Sequence, residues 1–164
     1  MKGLDRLMGI ASRGRPSNWN PNPPVKDTNR TGEGSEHLEQ VALIKIVHLN
    51  MGKYPELASL FAIPNGEHRH QAVANRLKLE GVRPGVPDLC LPVMRSIYGA
   101  FYLEMKRPDL RPKRGGKGGI SDAQDWWRLR LLEAGYRHAV CYTAEEAWGE
   151  IEAYLNLEKS LLKG

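Results

Sequence analysis

Hydrophobic periodicity begins only at about residue 35 of this 164-residue chain. From Ser35 the string SEHLEQVALIKIVHLN repeats apolar residues at helical spacing, with Ser35 placed as an N-cap and His37, Lys45 and His48 on the polar side. LASLFAIPNG predicts a strand stopped by Pro64 and Gly66, and HRHQAVANRLKLEG a helix ended by Gly81. VRPGVPDLCLPV predicts a turn leading into a short apolar strand, and IYGAFYLEMK a longer strand dense in aromatic and branched residues. Ser121 opens a helix through Ala134, RHAVCYT is a strand, and AEEAWGEIEAYLNLEKSLL is a closing amphipathic helix. The order helix, strand, helix, strand, strand, helix, strand, helix predicts one α/β domain, residues 35–164, with a small central mixed sheet flanked by helices.

Residues 1–34 lack that periodicity. The stretch 16–34 holds four prolines among Asn, Gly and Thr and cannot bury enough apolar surface to order itself, so the segment reads as a flexible arm. Its six basic residues outnumber three acidic ones, which suits a solvated tail or an electrostatic tether to a phosphate backbone. A second basic run lies between Lys106 and Gly119, a glycine-rich loop expected to be mobile, where six cations face Asp109 alone. Arm and loop together exceed the chain's net charge of +5, leaving the rest at −3. An anionic partner is therefore expected beside two local patches of this chain.

Composition removes other classes. At 41% hydrophobic and 26% charged residues, neither a disordered nor a fibrous chain is expected. No apolar run approaches the roughly 18 residues of a membrane helix, and the first residues lack an uninterrupted hydrophobic signal core, so a cytoplasmic protein with no membrane partner is expected. Cys90 and Cys141 lie in apolar stretches without metal or disulfide spacing and read as reduced core thiols.

The chemistry concentrates at two strand ends. Pro87 and Asp88 head one predicted strand, and Glu104-Met105-Lys106 closes the next. Strand alternation puts Tyr102, Glu104 and Lys106 on one face and Phe101, Leu103 and Met105 on the other. The short connection lets the strands pair, bringing Asp88 beside Glu104. Two carboxylates and an ammonium then converge, a set suited to holding Mg²⁺ for phosphodiester hydrolysis, with the lysine orienting water or stabilising developing charge.

A third carboxylate can come from the first helix, where Glu36, Gln40, Leu43 and Val47 share one stripe and Glu39 lies nearby. Both glutamates also suit the positive end of that helix. Ser121 and Gln124 form an S-x-x-Q capping box. Trp126 and Trp127 read as core for at least one ring, or as a stacking platform for bases, and His68 and His70 as solvated surface.

AIPNG, RLKLEGVRPGVPDL, FYLEMKRP and SDAQ, taken with their spacing, closely resemble the virus-type replication-repair nuclease (VRR-NUC) domain of the PD-(D/E)xK nuclease superfamily. The resemblance covers about Ser35 to Leu155 and implies a restriction-endonuclease-like core. It implies Asp88 and Glu104 as metal-binding carboxylates, Lys106 as the active-site lysine, Glu36 as a further metal ligand with Gln40 beside it, and Gln124 at the active site as well as in the cap. Gln40, Ser121, Asn65, Arg76, Arg83, Arg107, Lys113, Arg114 and Lys117 are the residues expected to meet nucleic acid or support the loops. Small stand-alone relatives of phages and bacteria further imply a Mg²⁺- or Mn²⁺-dependent endonuclease without an organic cofactor, a homodimer acting on branched DNA such as four-way (Holliday) junctions. The alternatives are a non-catalytic DNA-binding or assembly module and a restriction-type nuclease cutting linear duplexes.

Overall fold

The structure, a computed structural model, describes residues 34–64, 76–113 and 116–158. The predicted arm lies, but for Gly34, outside the described residues, as do Asn65, His68, His70 and Arg114. Helix α1 spans Gly34–Asn50, so Ser35 sits within it rather than ahead of it. Its predicted stripe faces inward: Leu43 and Val47 are buried, and Glu36 and Gln40 half-buried.

The next prediction fails in part. Pro55–Ser59 forms a turn of 3₁₀ helix, opened by Pro55, that drives Leu57 into the core, and only Phe61–Ala62 remains as strand β1. Proline at the first helical position is already set to the required φ. The helix before Gly81 is described from residue 76, and its end follows the prediction. Gly81 adopts φ 96°, its N–H bonds to the Lys78 carbonyl and that of Val82 to Leu77, the paired closure that a left-handed residue allows.

Strands β2 (Leu89–Leu91), β3 (Phe101–Met105) and β4 (Arg137–Cys141) complete a four-stranded sheet in the order β1-β2-β3-β4. The first two pairings are antiparallel and β3 with β4 is parallel, the mixed sheet expected. That parallel step needs a crossover, which helix α2 (Asp122–Glu133) supplies. β3 is shorter than its sequence suggests because residues 95–98 fold into a tight turn, Ser96 at φ 52°. Helix α3 (Ala144–Leu155) likewise stops before the predicted Leu162; the Glu158 carbonyl instead accepts from the Ser96 N–H, tying the departing chain to that turn.

The core lies on one side of the sheet. Leu89, Leu91, Phe101, Leu103 and Met105 pack against Leu43 and Val47 of α1 and Ala147, Ile151 and Tyr154 of α3. Cys90 and Cys141 are buried free thiols, as expected. The tryptophans are not core: Trp126 is 53% exposed and Trp127 half-buried, their rings edge to face. The Trp127 indole N–H donates to the Pro84 carbonyl of a backbone turn. Among the described residues, no helix is long and apolar enough to cross a membrane.

Candidate active site

Leu89 pairs with Leu103, so the antiparallel register continues to Asp88 opposite Glu104, as alternation and loop length predicted. The Asp88 carboxylate accepts the Met105 N–H through Oδ2 at 2.8 Å, closing the end of the ladder where no backbone carbonyl is in place. Glu104 is only 1% exposed although it carries a carboxylate. Lys106 Nζ donates to its Oε1 at 2.8 Å, and Gln124 Nε2 donates to the same oxygen.

Gln124 reaches this point because it is the third residue of α2. The Ser121 hydroxyl accepts the Gln124 N–H at 3.3 Å, while Gln124 Oε1 accepts the Ser121 N–H at 2.9 Å. One amide thus caps the helix through its oxygen and grips Glu104 through its nitrogen. Both roles read from S-x-x-Q coexist in one side chain.

The charges around Glu104 do not cancel. Burial, together with the negative charges of Asp88 and Glu36, pushes its carboxyl up to about 8 against the pull of Lys106. Burial also disfavours the Lys106 ammonium, but the bond to Glu104 and the charges of Glu104, Glu36 and Asp88 outweigh it and raise its proton affinity. Glu104 Oε2 is buried without a hydrogen-bond partner among the described residues. A buried acceptor of this kind costs about 1–3 kcal/mol or more unless something meets it.

Hard carboxylate oxygens, an open buried acceptor and surplus negative charge fit a divalent cation. Among the described residues, no three His, Cys, Asp or Glu side chains converge closely enough to hold one by themselves. A cation on Asp88 and Glu104 would keep several waters, as Mg²⁺ ordinarily does. The two candidate glutamates of α1 separate clearly: Glu39 Oε2 accepts the Ala144 N–H at 2.7 Å, 105 residues away, and anchors the start of α3. Glu36 is the one whose charge is felt by both Glu104 and Lys106.

The cationic candidates are dispersed. Arg107 pairs with Asp109, Arg111 with Glu146 and Lys117 with Asp122 at 2.6 Å, while Lys113 is exposed. Arg76 pairs loosely with Glu80 at 3.4 Å, Arg83 is exposed, and Ser121 is exposed at the mouth of α2. The loop expected to be mobile is pinned at its far end, where the Tyr142 hydroxyl donates to the Gly118 carbonyl at 3.0 Å.

One clamp escaped the sequence. Trp127 Nε1 donates to the Pro84 carbonyl at 3.1 Å, and Gly85, at φ 79°, lies so close to α2 that a Cβ there would fall 2.5 Å from the Ala123 carbonyl carbon. The only signal available was the Pro-Gly pair three residues ahead of Pro87-Asp88.

The family model for the VRR-NUC domain matches residues 36–145, a span that begins at Glu36 and encloses every site residue named. No curated protein matches the chain. Among solved structures, one described as "VRR_NUC domain protein" superposes with a TM-score of 0.60 at 20% identity, over 77% of this chain and 92% of that one. That likeness is one of fold.

Proposed function

Because the chain belongs to the VRR-NUC family of nuclease-type DNA-processing domains, we propose that it is a divalent-metal-dependent DNA endonuclease of the cytoplasm, cutting branched DNA such as four-way junctions as a homodimer. The observation that carries this reading is Glu104: a buried carboxylate with one oxygen held by Lys106 and Gln124 and the other open, beside Asp88. A structural role would favour an apolar residue at so buried a position.

Asp88 and Glu104 would hold Mg²⁺ or Mn²⁺ directly, and Glu36, whose charge both Glu104 and Lys106 feel, would complete the set through one of the waters the ion keeps. Bound there, the cation would polarise a phosphoryl oxygen and make water a better nucleophile at neutral pH. Gln124 fixes the Glu104 carboxylate so that Oε2 stays turned to the site. Lys106 Nζ keeps two further N–H donors, which orient the attacking water or meet the charge growing on the phosphoryl oxygens. Arg83, Arg107 and Lys113, all near the strand ends in sequence, supply charge for the phosphate backbone. A two-fold dimer would present two sites to opposed strands of a branch.

The test is a panel of labelled four-way, forked and linear DNA incubated with Mg²⁺, Mn²⁺ or EDTA. Branched substrates are expected to be cut in either metal and none in EDTA, and Asp88→Ala and Lys106→Ala to bind DNA without cutting it. Undiminished cleavage by both variants would sink the site. Preferential cutting of unbranched duplex would favour a restriction-type enzyme, and binding without cleavage by the unaltered protein a non-catalytic module.

A further inference from the structure

Asp88 and Glu104 reach the site by different routes. Glu104 sits within a strand and is fixed by the sheet, whereas Asp88 is the last residue of a turn running through Pro84 and Gly85. The described residues hold that turn to α2 at two places: the indole N–H of Trp127 on the Pro84 carbonyl, and the bare Cα of Gly85 against the backbone of Ala123 and Gln124. Pro87 is among the most fully buried residues of the chain, so the turn has little freedom once its start is held.

The same helix turn that receives Gly85 carries Gln124, whose amide grips Glu104. α2 therefore joins the two carboxylates from outside the sheet. Trp127 is well placed for this and poorly placed for core packing, being half-buried with its nitrogen spent on one carbonyl. An exposed neighbouring ring, Trp126, touches neither the turn nor Glu104 in any hydrogen bond among the described residues.

We infer that Trp127 is a positioning residue, which through the Pro84 carbonyl and the Gly85 contact sets the separation of Asp88 from Glu104 and hence the affinity of the site for a divalent cation. The inference rests on the reading of Asp88 and Glu104 as metal ligands, but not on any particular DNA substrate. Removing one hydrogen bond from a turn end loosens Asp88 without emptying the site. A misplacement of about 1 Å in such a pair is enough to cost 10²-fold in rate.

The experiment compares the full chain with Trp127→Phe, which keeps a ring and loses the donor, and with Trp126→Phe, by calorimetric titration with Mn²⁺ alone and by cleavage kinetics. Trp127→Phe is expected to weaken Mn²⁺ binding about tenfold and to lower kcat about tenfold or more, with KM for DNA unchanged. Its melting temperature should fall by only a few degrees, in line with one lost hydrogen bond. Gly85→Ala, which attacks the same contact from the turn side, should weaken Mn²⁺ in the same direction. Trp126→Phe, which keeps a ring against Trp127, should leave Mn²⁺ affinity unchanged.

Unchanged Mn²⁺ affinity in Trp127→Phe overturns the positioning role, as does equal weakening in Trp126→Phe. A wild-type chain that binds Mn²⁺ but cuts no DNA overturns the proposed activity and leaves the affinity comparison to decide this one. A wild-type chain that binds no Mn²⁺ overturns both.

Discussion

Phe101 and Glu104 lie three residues apart on β3 and are equally sealed from solvent, each 1% exposed, yet they face opposite sides of the sheet. On Phe101's side lies the apolar core, and the Tyr154 ring is tilted against its own at 5.1 Å between centroids. On Glu104's side, among the described residues, Lys106 and Gln124 bond to one oxygen, Asp88 stands opposite, and the other oxygen has no hydrogen-bond partner. Burial alone therefore does not mark a core. The first face lowers the free energy of the fold by hiding apolar surface; the second keeps a desolvated charge whose cost the first must offset. A strand with both faces covered reads as a run of hydrophobes when it is purely structural; β3 departs from that at Glu104, and the chain does so again at Lys106, just past its end.

The comparison breaks most sharply at Glu104 itself. Glu104→Gln keeps the volume and an acceptor for Lys106 but removes the charge, and cleavage is expected to fall at least about 10³-fold, the scale of losing a principal electrostatic element. The melting temperature of the metal-free protein at neutral pH should stay within a few degrees, because a carboxyl held up to about 8 is already largely neutral there and glutamine keeps its shape. If calorimetry instead shows a loss of stability as large as that of a core truncation, the two faces are not different in kind.

Phe101→Ala tests the other face. A buried aromatic truncated to alanine costs about 3–5 kcal/mol. For a chain of this length that lowers the melting temperature by roughly 10 °C or more. Activity per folded molecule, assayed well below the transition, should remain within a few-fold of the unaltered protein. A loss near that of Glu104→Gln at a temperature where circular dichroism reports full folding would show that the faces are coupled.

Much of this contrast was legible in the chain. The alternation Phe101, Leu103, Met105 against Tyr102, Glu104, Lys106 assigned the faces, and the short link from Leu91 to Phe101 assigned the pairing that sets Asp88 against Glu104. S-x-x-Q announced the cap of α2. The errors lie where long-range contacts decide. Glu39 gave no local hint that it would hold the Ala144 N–H, and the truncation of α3 depends on a bond between Glu158 and Ser96, 62 residues apart. Pro55 redirected a predicted strand because proline's fixed φ suited a 3₁₀ turn and Leu57 had a pocket to fill. The role of Trp127 escapes the sequence for the same kind of reason: an indole's apolar bulk shows in sequence, and the carbonyl it will find does not.

The sheet's second face also holds a half-buried titratable group that sharpens the comparison by pH. His138 on β4 pairs with Tyr102 of β3. Burial first, and then the charge of Arg128 on α2, push it down to about 4. Above its ordinary value near 6.5 the imidazole is neutral folded or unfolded; between 6.5 and 4 only the unfolded chain takes up the proton, so stability is lost as the pH falls through that window. The effect amounts to about 2 kcal/mol after allowance for the ring's partial exposure. His138→Gln should remove that part of the slope, read as the difference between the two proteins in urea midpoints at pH 7 and pH 4.5. Parallel curves would show that His138 titrates normally in the fold.

The smallest expected effect concerns the basic loop, where charge that is already spoken for differs from charge that is free to meet a phosphate. Lys117 is bonded to Asp122, and that pairing raises the proton affinity of Lys117 and lowers that of Asp122. Lys113 is exposed and has no ion pair among the described residues. Each cation that displaces counterions from duplex DNA contributes about 0.9 to the slope of log affinity against log salt. Replacing Lys113, Arg114 and Lys117 together should flatten the slope. Of the two lysines, Lys113→Gln should lower it by close to one unit and Lys117→Gln by less, since Lys117 must give up Asp122 before it can bind a phosphate. Fluorescence anisotropy on one junction in EDTA, from low to moderate salt, separates these values without cleavage. Equal slopes for Lys113→Gln and the unaltered chain would remove the loop from the DNA-binding surface, and equal losses from the two lysines would mean that the Asp122 pair dissolves freely when DNA arrives.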